Sequence, residues 1–273
     1  MTRPPYLPFL NGAPSLAPGL APIELSRWFM PDTEAAAWLS DKQALMREDR
    51  DRVYADQGDP ERWAPLLDLM SEQGVAISDG DWPTPLERAA ASVSDDLCLM
   101  VRGDDGVWRL EAASLCAPSG WVLTERIGQP LAGLHGPVPD AEPVLVQRIS
   151  RMFDALRGEL LLERFNWTVQ AGAARPAADS APFKQLARET DDEAALDVLH
   201  LRVERQTLRK LINSDTILFT IRICIDPLRI ALADARHRGA FEQGWASIDP
   251  DLAAYKGWPS YERLVRQALK RLS

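Results

Sequence analysis

The clearest indication of the fold is the stretch LRVERQTLRKLINSDTILFTIRICIDPL, residues 201–228. Apolar and polar side chains alternate along both of its halves, and this period of two is typical of β-strands. The pattern predicts one strand over residues 198–211 and a second over residues 217–225. The few residues between them, around Asn213-Ser214-Asp215, are typical of a turn, so the two strands are expected to pair antiparallel.

Outside this pair, the chain alternates between helical and extended patterns. Further strands are predicted over residues 96–103, 107–112 and 160–170, the first two joined by a Gly-Asp-Asp-Gly hairpin turn. Helices are predicted to begin near residues 32 and 59, to cover 142–156, and to fill 226–273 with breaks near Gly239 and Gly257. Residues 171–192, rich in Ala, Pro, Ser and charge, are expected to form a long mobile loop. This order favours an α+β fold with an antiparallel sheet.

The first strand of the pair has one polar face. His200, Arg202, Glu204 and Gln206 alternate with apolar residues, so they point to the same side of the sheet. A polar strand face is usually solvated. The alternative is the wall of a polar pocket, in which Glu204 holds a cationic substrate.

The second strand carries a charge, Arg222, among apolar residues. A guanidinium group there is either paired or placed for function, because a lone buried charge is costly. Whether Arg222 shares a face with Glu204 depends on the turn between the strands. A turn longer by one residue reverses the answer.

One of the three histidines, His135, lies in the sequence Leu-His-Gly-Pro-Val-Pro. Glycine and proline can hold such a histidine in a tight loop, where one ring nitrogen is aimed at a fixed point, as an axial metal ligand requires. Taken alone, a loop histidine satisfied by local hydrogen bonds is the more frequent case. His200 and His237 lie at no metal-ligand spacing from it.

Composition excludes several classes of protein. The net charge of −9 and the pI near 5.0 argue against nucleic-acid or anionic-lipid binding. No apolar run reaches the length of about 18 residues that a membrane span requires, and prolines near the start argue against a signal peptide. The three cysteines are scattered, so a reducing cytoplasm is the expected location. No GxGxxG, P-loop or HExxH motif is present.

Four blocks of the sequence together resemble a known family. They are PYLPFLNG (5–12), LCLMVRGDDGVWRLEAASLCAPSGWVLTERIGQPLAGLHGPVP (97–139), FNWT (165–168), and LRVERQTLRKL with SDTILFTIRICIDPL (201–228). Their order and the long motifs IGQPL…HGPVP and LRVERQTL…LFTIR are similar to those of the haem-dependent oxidative N-demethylases, specifically the haem-binding α subunit.

The resemblance implies a fold and an activity. The fold is α+β: a PAS-like antiparallel sheet that binds haem, over about residues 95–230, in a single domain (1–273) with helical N- and C-terminal extensions. The activity is oxidation of a small secondary amine, dimethylamine in the known case, by O2, with release of formaldehyde from the N-methyl group.

The resemblance also implies roles for three residues. On the family's pattern, His135 is the axial ligand of the haem iron. Glu204 in the ERQ motif receives the amine, because a carboxylate matches an ammonium cation. Arg222 in the FTIR motif is a distal polar group that stabilises partly negative bound oxygen. For Glu204 and Arg222, a structural salt bridge is the open alternative.

The expected cofactor on this chain is haem b. Because the chain has neither a nucleotide-binding fingerprint nor a cysteine cluster, flavin and an iron–sulfur centre are expected on a partner reductase that uses NAD(P)H. The main alternative is a non-catalytic haem-binding sensor of gas or redox state. A third is an interaction subunit without haem, in which the histidine loop is structural.

Overall fold

A computed structural model describes residues 4–15, 19–29, 32–135, 145–211 and 214–272. Seven strands form one antiparallel sheet in the order β1-β5-β6-β7-β3-β4-β2. The strands are β1 (Ala21–Ile23), β2 (Tyr54–Asp56), β3 (Asp96–Arg102), β4 (Trp108–Ser114), β5 (Leu161–Ala171), β6 (Leu199–Lys210) and β7 (Thr216–Pro227). The predicted α+β class and the five longer strands are confirmed. The two short edge strands, β1 and β2, were not predicted.

Helices precede, interrupt and follow the sheet. They are α1 (Ala35–Glu48), α2 (Arg50–Val53), α3 (Pro65–Glu72), α4 (Pro85–Ala90), α5 (Leu123–Arg126), α6 (Leu131–His135), α7 (Val146–Ala155), α8 (Ala181–Glu189), α9 (Ala195–Val198), α10 (Leu228–Ala231), α11 (Ala235–Ala246), α12 (Pro250–Tyr255) and α13 (Glu262–Leu272). In the part of the chain that the structure describes, no helix combines the length and apolar character needed to cross a bilayer.

The hairpin β3–β4 forms where the sequence predicts it. The amide of Gly103 donates to the Val107 carbonyl at 3.0 Å, and Gly106 closes the turn with φ +76°. Glycine adopts this left-handed conformation without the steric penalty that a side chain brings. The hairpin pairs with β7 through β3, and this joins it to the β5–β6–β7 meander.

The register of β6 and β7 settles which side chains share a face. Glu204 lies opposite Ile223, and Arg205 lies opposite Arg222. Because directly opposed residues point to the same side of a sheet, Glu204 and Arg222 point to opposite sides. Residues 212 and 213 of the connecting turn lie outside the described residues.

Both faces of the sheet are covered. The face that carries Glu204 borders a cavity beneath α6, α7, α8 and α12. On the other face, the N-terminal segment inserts Trp28, whose indole N–H donates to the Thr207 hydroxyl at 3.0 Å. Trp28 and Phe9 of this segment are fully buried.

Two expectations about the helices are wrong. Residues 171–192 contain helix α8, which has proline in its first turn and buries Phe183 and Ala187 against the rest of the protein. A small apolar face was enough to form a helix in a segment whose overall composition is typical of loops.

The helix break predicted near Gly239 does not occur, since α11 runs through this residue. Open space surrounds this glycine, so the helix loses only intrinsic propensity there.

The segment around His135 is described in part. His135 is the last residue of α6, and its side chain lies outside the described part of the structure. Residues 136–144 are also outside it, so the predicted Gly-Pro-Val-Pro loop and the start of the helix predicted over 142–156 are not described. The described remainder of that helix is α7.

Candidate functional site

A cavity of about 560 Å³ lies between the sheet and the helices that cover one of its faces. Small-molecule and cofactor sites typically have volumes of about 300–1,000 Å³. Strands β5 and β6 provide polar side chains to one half of the wall. Apolar side chains from β3, β4, β6 and β7 and from α6 and α7 provide the other half.

The polar half follows from the pairing of β5 with β6. Asn166 lies opposite Glu204, and Arg164 lies opposite Gln206, so the four side chains form a compact group on one face. The polar face that the alternation predicts on β6 therefore forms a cavity wall, the alternative to a solvated surface.

The carboxylate of Glu204 is held by two side-chain amides. Its Oε2 accepts hydrogen bonds from Gln206 Nε2 at 3.0 Å and Asn166 Nδ2 at 3.4 Å. Glu204 is half-buried and borders the cavity. The amides fix the orientation of the carboxylate without neutralising its charge.

The surroundings keep Glu204 ionised. Burial by itself raises the pKa of a carboxyl group, but nearby Arg202, the Ser119 hydroxyl and Lys256 outweigh this and hold the pKa of Glu204 below its ordinary value. A carboxylate that stays charged inside a cavity is suited to bind a small cation.

Lys256, from the C-terminal part of the chain, contacts the polar side chains around Glu204. It directly follows α12, and Gly257, with φ +72°, turns the backbone away from the helix. The ammonium Nζ donates to Asn166 Oδ1 at 2.7 Å and to the Trp167 carbonyl at 3.3 Å. Burial lowers the pKa of Lys256 to about 8, although Glu204 acts in the opposite direction.

Two guanidinium groups complete the polar half. Arg202 is buried, and it donates to the Arg175 carbonyl at 2.7 Å, Ser119 Oγ at 2.8 Å and Gln170 Oε1 at 3.3 Å. The Nε of Arg164 is buried and has no hydrogen-bond partner among the described residues. Neither side chain has a carboxylate within ion-pair distance in the described ranges. The described part of the cavity wall therefore includes the basic side chains Arg164, Arg202 and Lys256, against the one carboxylate of Glu204.

The apolar half is broad. Its side chains come from four strands and two helices: Cys98, Met100, Leu110, Leu131, Leu134, Ile149, Met152, Phe153, Leu208, Phe219 and Ile221. Such a lining stabilises a bulky apolar group, because contact with it removes apolar surface from water. Leu131 and Leu134 belong to α6, so the helix that ends at His135 borders the cavity.

Of the three residues singled out from the sequence, the structure brings one to the cavity wall. Glu204 lies there. The backbone of His135 ends a helix that borders the cavity, while its side chain lies outside the described residues. Arg222 lies on the other face of the sheet and is not part of the wall.

Arg222 forms a buried ion pair with Asp32. Its Nε and Nη2 donate to the two carboxylate oxygens at 2.9 and 2.8 Å, and both side chains are at most 5% exposed. Burial tends to raise the pKa of Asp32, but the hydrogen bonds from Arg222 prevail and lower it. This geometry matches the structural salt bridge that the sequence left open as the alternative for Arg222, and the pair connects β7 to the segment before α1.

Asp226 lies near this pair, and one of its oxygens, Oδ2, is buried without a described partner. Burial, with further repulsion from Glu34 and Asp32, raises the pKa of Asp226 from 3.8 to about 7. A carboxyl group with a raised folded-state pKa favours folding in its protonated form. Its contribution to stability is therefore lost as pH rises from about 4 to about 7.

We expect Asp226→Asn to increase the free energy of unfolding at pH 8, by at most about 4 kcal/mol, since one pKa unit corresponds to about 1.4 kcal/mol. The difference from wild type should be small at pH 4. Urea unfolding at both pH values measures it. Asp104→Asn, at an exposed turn position, is the control and should change neither value. Equal stability of Asp226→Asn and wild type at pH 8 would contradict this interpretation.

Sequence reasoning missed Lys256, Arg164 and the positive charge of the wall. The alternation along β5 puts Arg164 on the same face as Asn166, and this signal was available in the sequence. Lys256 gave no such signal, because it is distant from the strands in the chain and belongs to no quoted motif.

The sheet and the cavity with its mixed lining define an α+β protein with a large cavity against one face of its sheet. The family model for haem-dependent oxidative N-demethylase, alpha subunit-like, matches residues 69–266 of the chain. The match covers most of the chain, including the cavity-lining strands and Lys256. The protein belongs to this family, and the resemblance seen in the sequence is confirmed.

Proposed function

We propose that this chain is the haem-binding subunit of an oxidative N-demethylase that acts on a small secondary amine of the dimethylamine kind. The observation that carries the proposal is the ionised carboxylate of Glu204, held inside a large cavity by Asn166 and Gln206. A small dialkylammonium ion carries one positive charge and two short apolar groups. The carboxylate matches the charge, and the adjoining apolar lining matches the methyl groups.

The residues of the cavity fit a haem. A tetrapyrrole needs broad apolar contact for its ring and positive charge for its propionates, and the cavity offers both. Leu131, Leu134, Ile149 and Phe153 would pack against the ring. Arg164, with its unpartnered Nε, is available to a negatively charged group of the cofactor. His135 would be the axial ligand, as the family's motif implies. When bound, the haem iron supplies reductive activation of O2.

The chain's own residues would position the substrate. Glu204 binds the ammonium group by a charge-assisted hydrogen bond, which is stronger than a neutral one. Asn166 and Gln206 keep the carboxylate in one orientation, so that an N-methyl group is presented to the apolar half of the cavity. Among the described residues, Arg164 and Arg202 are the guanidinium groups at this wall that could assist, since Arg222 pairs with Asp32 on the other face.

The remaining parts of the system are proposed from the family and from the fold. The cofactor is haem b, and the reducing equivalents come from a separate NAD(P)H-dependent reductase that carries flavin and an iron–sulfur centre. The five longer strands, with the helices between β4 and β5 covering one face, support a PAS-like core within a single domain.

The proposal predicts that protein expressed with a haem supply has a Soret band, and that His135→Ala removes most of it. His237→Ala is the matched control, since the ring of His237 is hydrogen-bonded to the Ala231 carbonyl on a different part of the molecule. Absorption spectra and haem content per chain measure the effect. A wild-type protein without a Soret band, or an undiminished band in His135→Ala, would refute the assignment.

A further inference from the structure

We propose that Lys256 is the base that removes the proton from the ammonium substrate held by Glu204, so that the amine is oxidised in its neutral form. The inference rests on the proposed amine oxidation and adds a catalytic residue to it. A secondary amine bound as a cation has no free electron pair on nitrogen. Oxidation of the adjacent methyl group is favoured once that pair is available, so the site needs a group that accepts the proton.

The hydrogen bonds of Lys256 and Glu204 join the two side chains through Asn166. The Oδ1 of Asn166 accepts from Lys256 Nζ at 2.7 Å, while its Nδ2 donates to Glu204 Oε2 at 3.4 Å. Both charged side chains border the cavity. An ammonium ion bound at Glu204 would therefore lie at the part of the wall where Asn166 bridges Glu204 and Lys256.

The two acceptors of Lys256 leave one position on its nitrogen available. The carbonyl oxygens of Asn166 and Trp167 each take one N–H bond. The third position carries a proton when Lys256 is charged and an electron pair when it is neutral. In the neutral form, both hydrogen bonds persist and the electron pair can accept a proton.

The step balances without a further reactant. The N–H bond of the substrate breaks and leaves its electron pair on the substrate nitrogen, while a new N–H bond forms at Lys256 Nζ. Lys256 then returns this proton to water. The half-buried position of Lys256, beside the exposed Tyr255, gives it access to solvent.

The charges around Lys256 support this role. Burial lowers its pKa to about 8; Glu204 on β6 raises it, and Arg164 on β5 lowers it further. Tyr255 and Lys184 also border this part of the cavity. An effective base has a pKa near the working pH. Glu204 has a pKa below its ordinary value, so it is too weakly basic to accept the proton of the substrate.

A direct measurement of Lys256 comes first. Competitive labelling with acetic anhydride across pH, quantified by mass spectrometry, reports its pKa without any turnover. We expect a value near 8 in the wild-type protein, and a lower value in Glu204→Gln, because Glu204 stabilises the charged form. An ordinary lysine value of about 10.4 would overturn the proposal.

The second measurement is the pH dependence of amine oxidation by the haem-loaded protein. In the wild type, kcat should rise with pH through an apparent pKa near 8. Lys256→Met should lower kcat about 100-fold or more, the usual effect of losing a general base, and should lose the rising limb. Lys256→Arg keeps the positive charge and the hydrogen-bond donors but cannot release a proton, so it should lose the same limb.

Lys270→Met is the matched control, since Lys270 is exposed on α13 and does not line the cavity. It should keep the wild-type pH profile. If Lys256→Met and Lys256→Arg both keep the rate and the rising limb, the proposal fails while the amine oxidation stands. If wild-type protein gives neither an amine-induced spectral change nor demethylation, the proposed function itself fails. The two failures are thus distinguishable.

Discussion

Glu204→Gln is expected to weaken binding of dimethylammonium by about 10- to 150-fold, while haem content stays unchanged. Glutamine keeps the shape of the side chain and removes its charge. A hydrogen bond to a charged group contributes about 1.5–3 kcal/mol, which corresponds to this range of affinity. Glu204 is the carboxylate that the cavity holds ionised between Asn166 and Gln206. Amine-induced changes in the haem absorption spectrum, titrated at constant ionic strength, give the affinity.

Glu125→Gln is the control for this change, because Glu125 is exposed on α5. It should bind the amine as the wild type does. If Glu204→Gln loses haem, the carboxylate has a structural role. If Glu204→Gln keeps full amine affinity, the ammonium ion binds elsewhere.

Arg222→Met is expected to lower the free energy of unfolding by about 3–5 kcal/mol, the usual cost of breaking a buried ion pair by removing one partner. The reason is that Asp32 stays buried without its two hydrogen bonds from the guanidinium. Protein that still folds should bind haem and amine as the wild type does, since Arg222 lies on the face of the sheet away from Glu204. Urea unfolding at pH 7 measures the loss.

Arg266→Met provides the comparison. Arg266 pairs with Glu262 on the exposed side of α13, and such pairs contribute at most about 1 kcal/mol. The double variant Arg222→Met with Asp32→Leu should recover much of the stability, because no buried charge is left unpaired. If the Arg222→Met protein is stable but has lost amine oxidation, Arg222 takes part in catalysis.

The longer strands of the sheet could be predicted because the sequence patterns that produce them are local. Alternation over residues 198–211 and 217–225 predicts β6 and β7, and the Gly-Asp-Asp-Gly turn predicts the β3–β4 hairpin. The short edge strand β1, three residues long, carries too little pattern to be recognised. Helix α8 was missed because its buried face consists of only two residues in a polar segment.

The site was less accessible to sequence reasoning because it joins distant parts of the chain. The relation between Glu204 and Arg222 depends on the length of one turn, and the pattern of each strand alone does not fix it. Lys256 reaches Asn166 from 90 residues away. The motif around His135 points to a ligand, and the structure adds that its helix borders the cavity through Leu131 and Leu134.

The production of formaldehyde from dimethylamine is the decisive test of the proposed demethylation. Haem-loaded protein is incubated with dimethylamine, O2 and a chemical reductant that supplies two electrons per O2, and formaldehyde is measured against haem. Free haem with the same reductant is the control. We expect several equivalents of formaldehyde per haem with wild-type protein and a strong decrease with Glu204→Gln. Protein that binds haem and O2 but forms no formaldehyde above the control would contradict it, and would favour a haem-binding sensor.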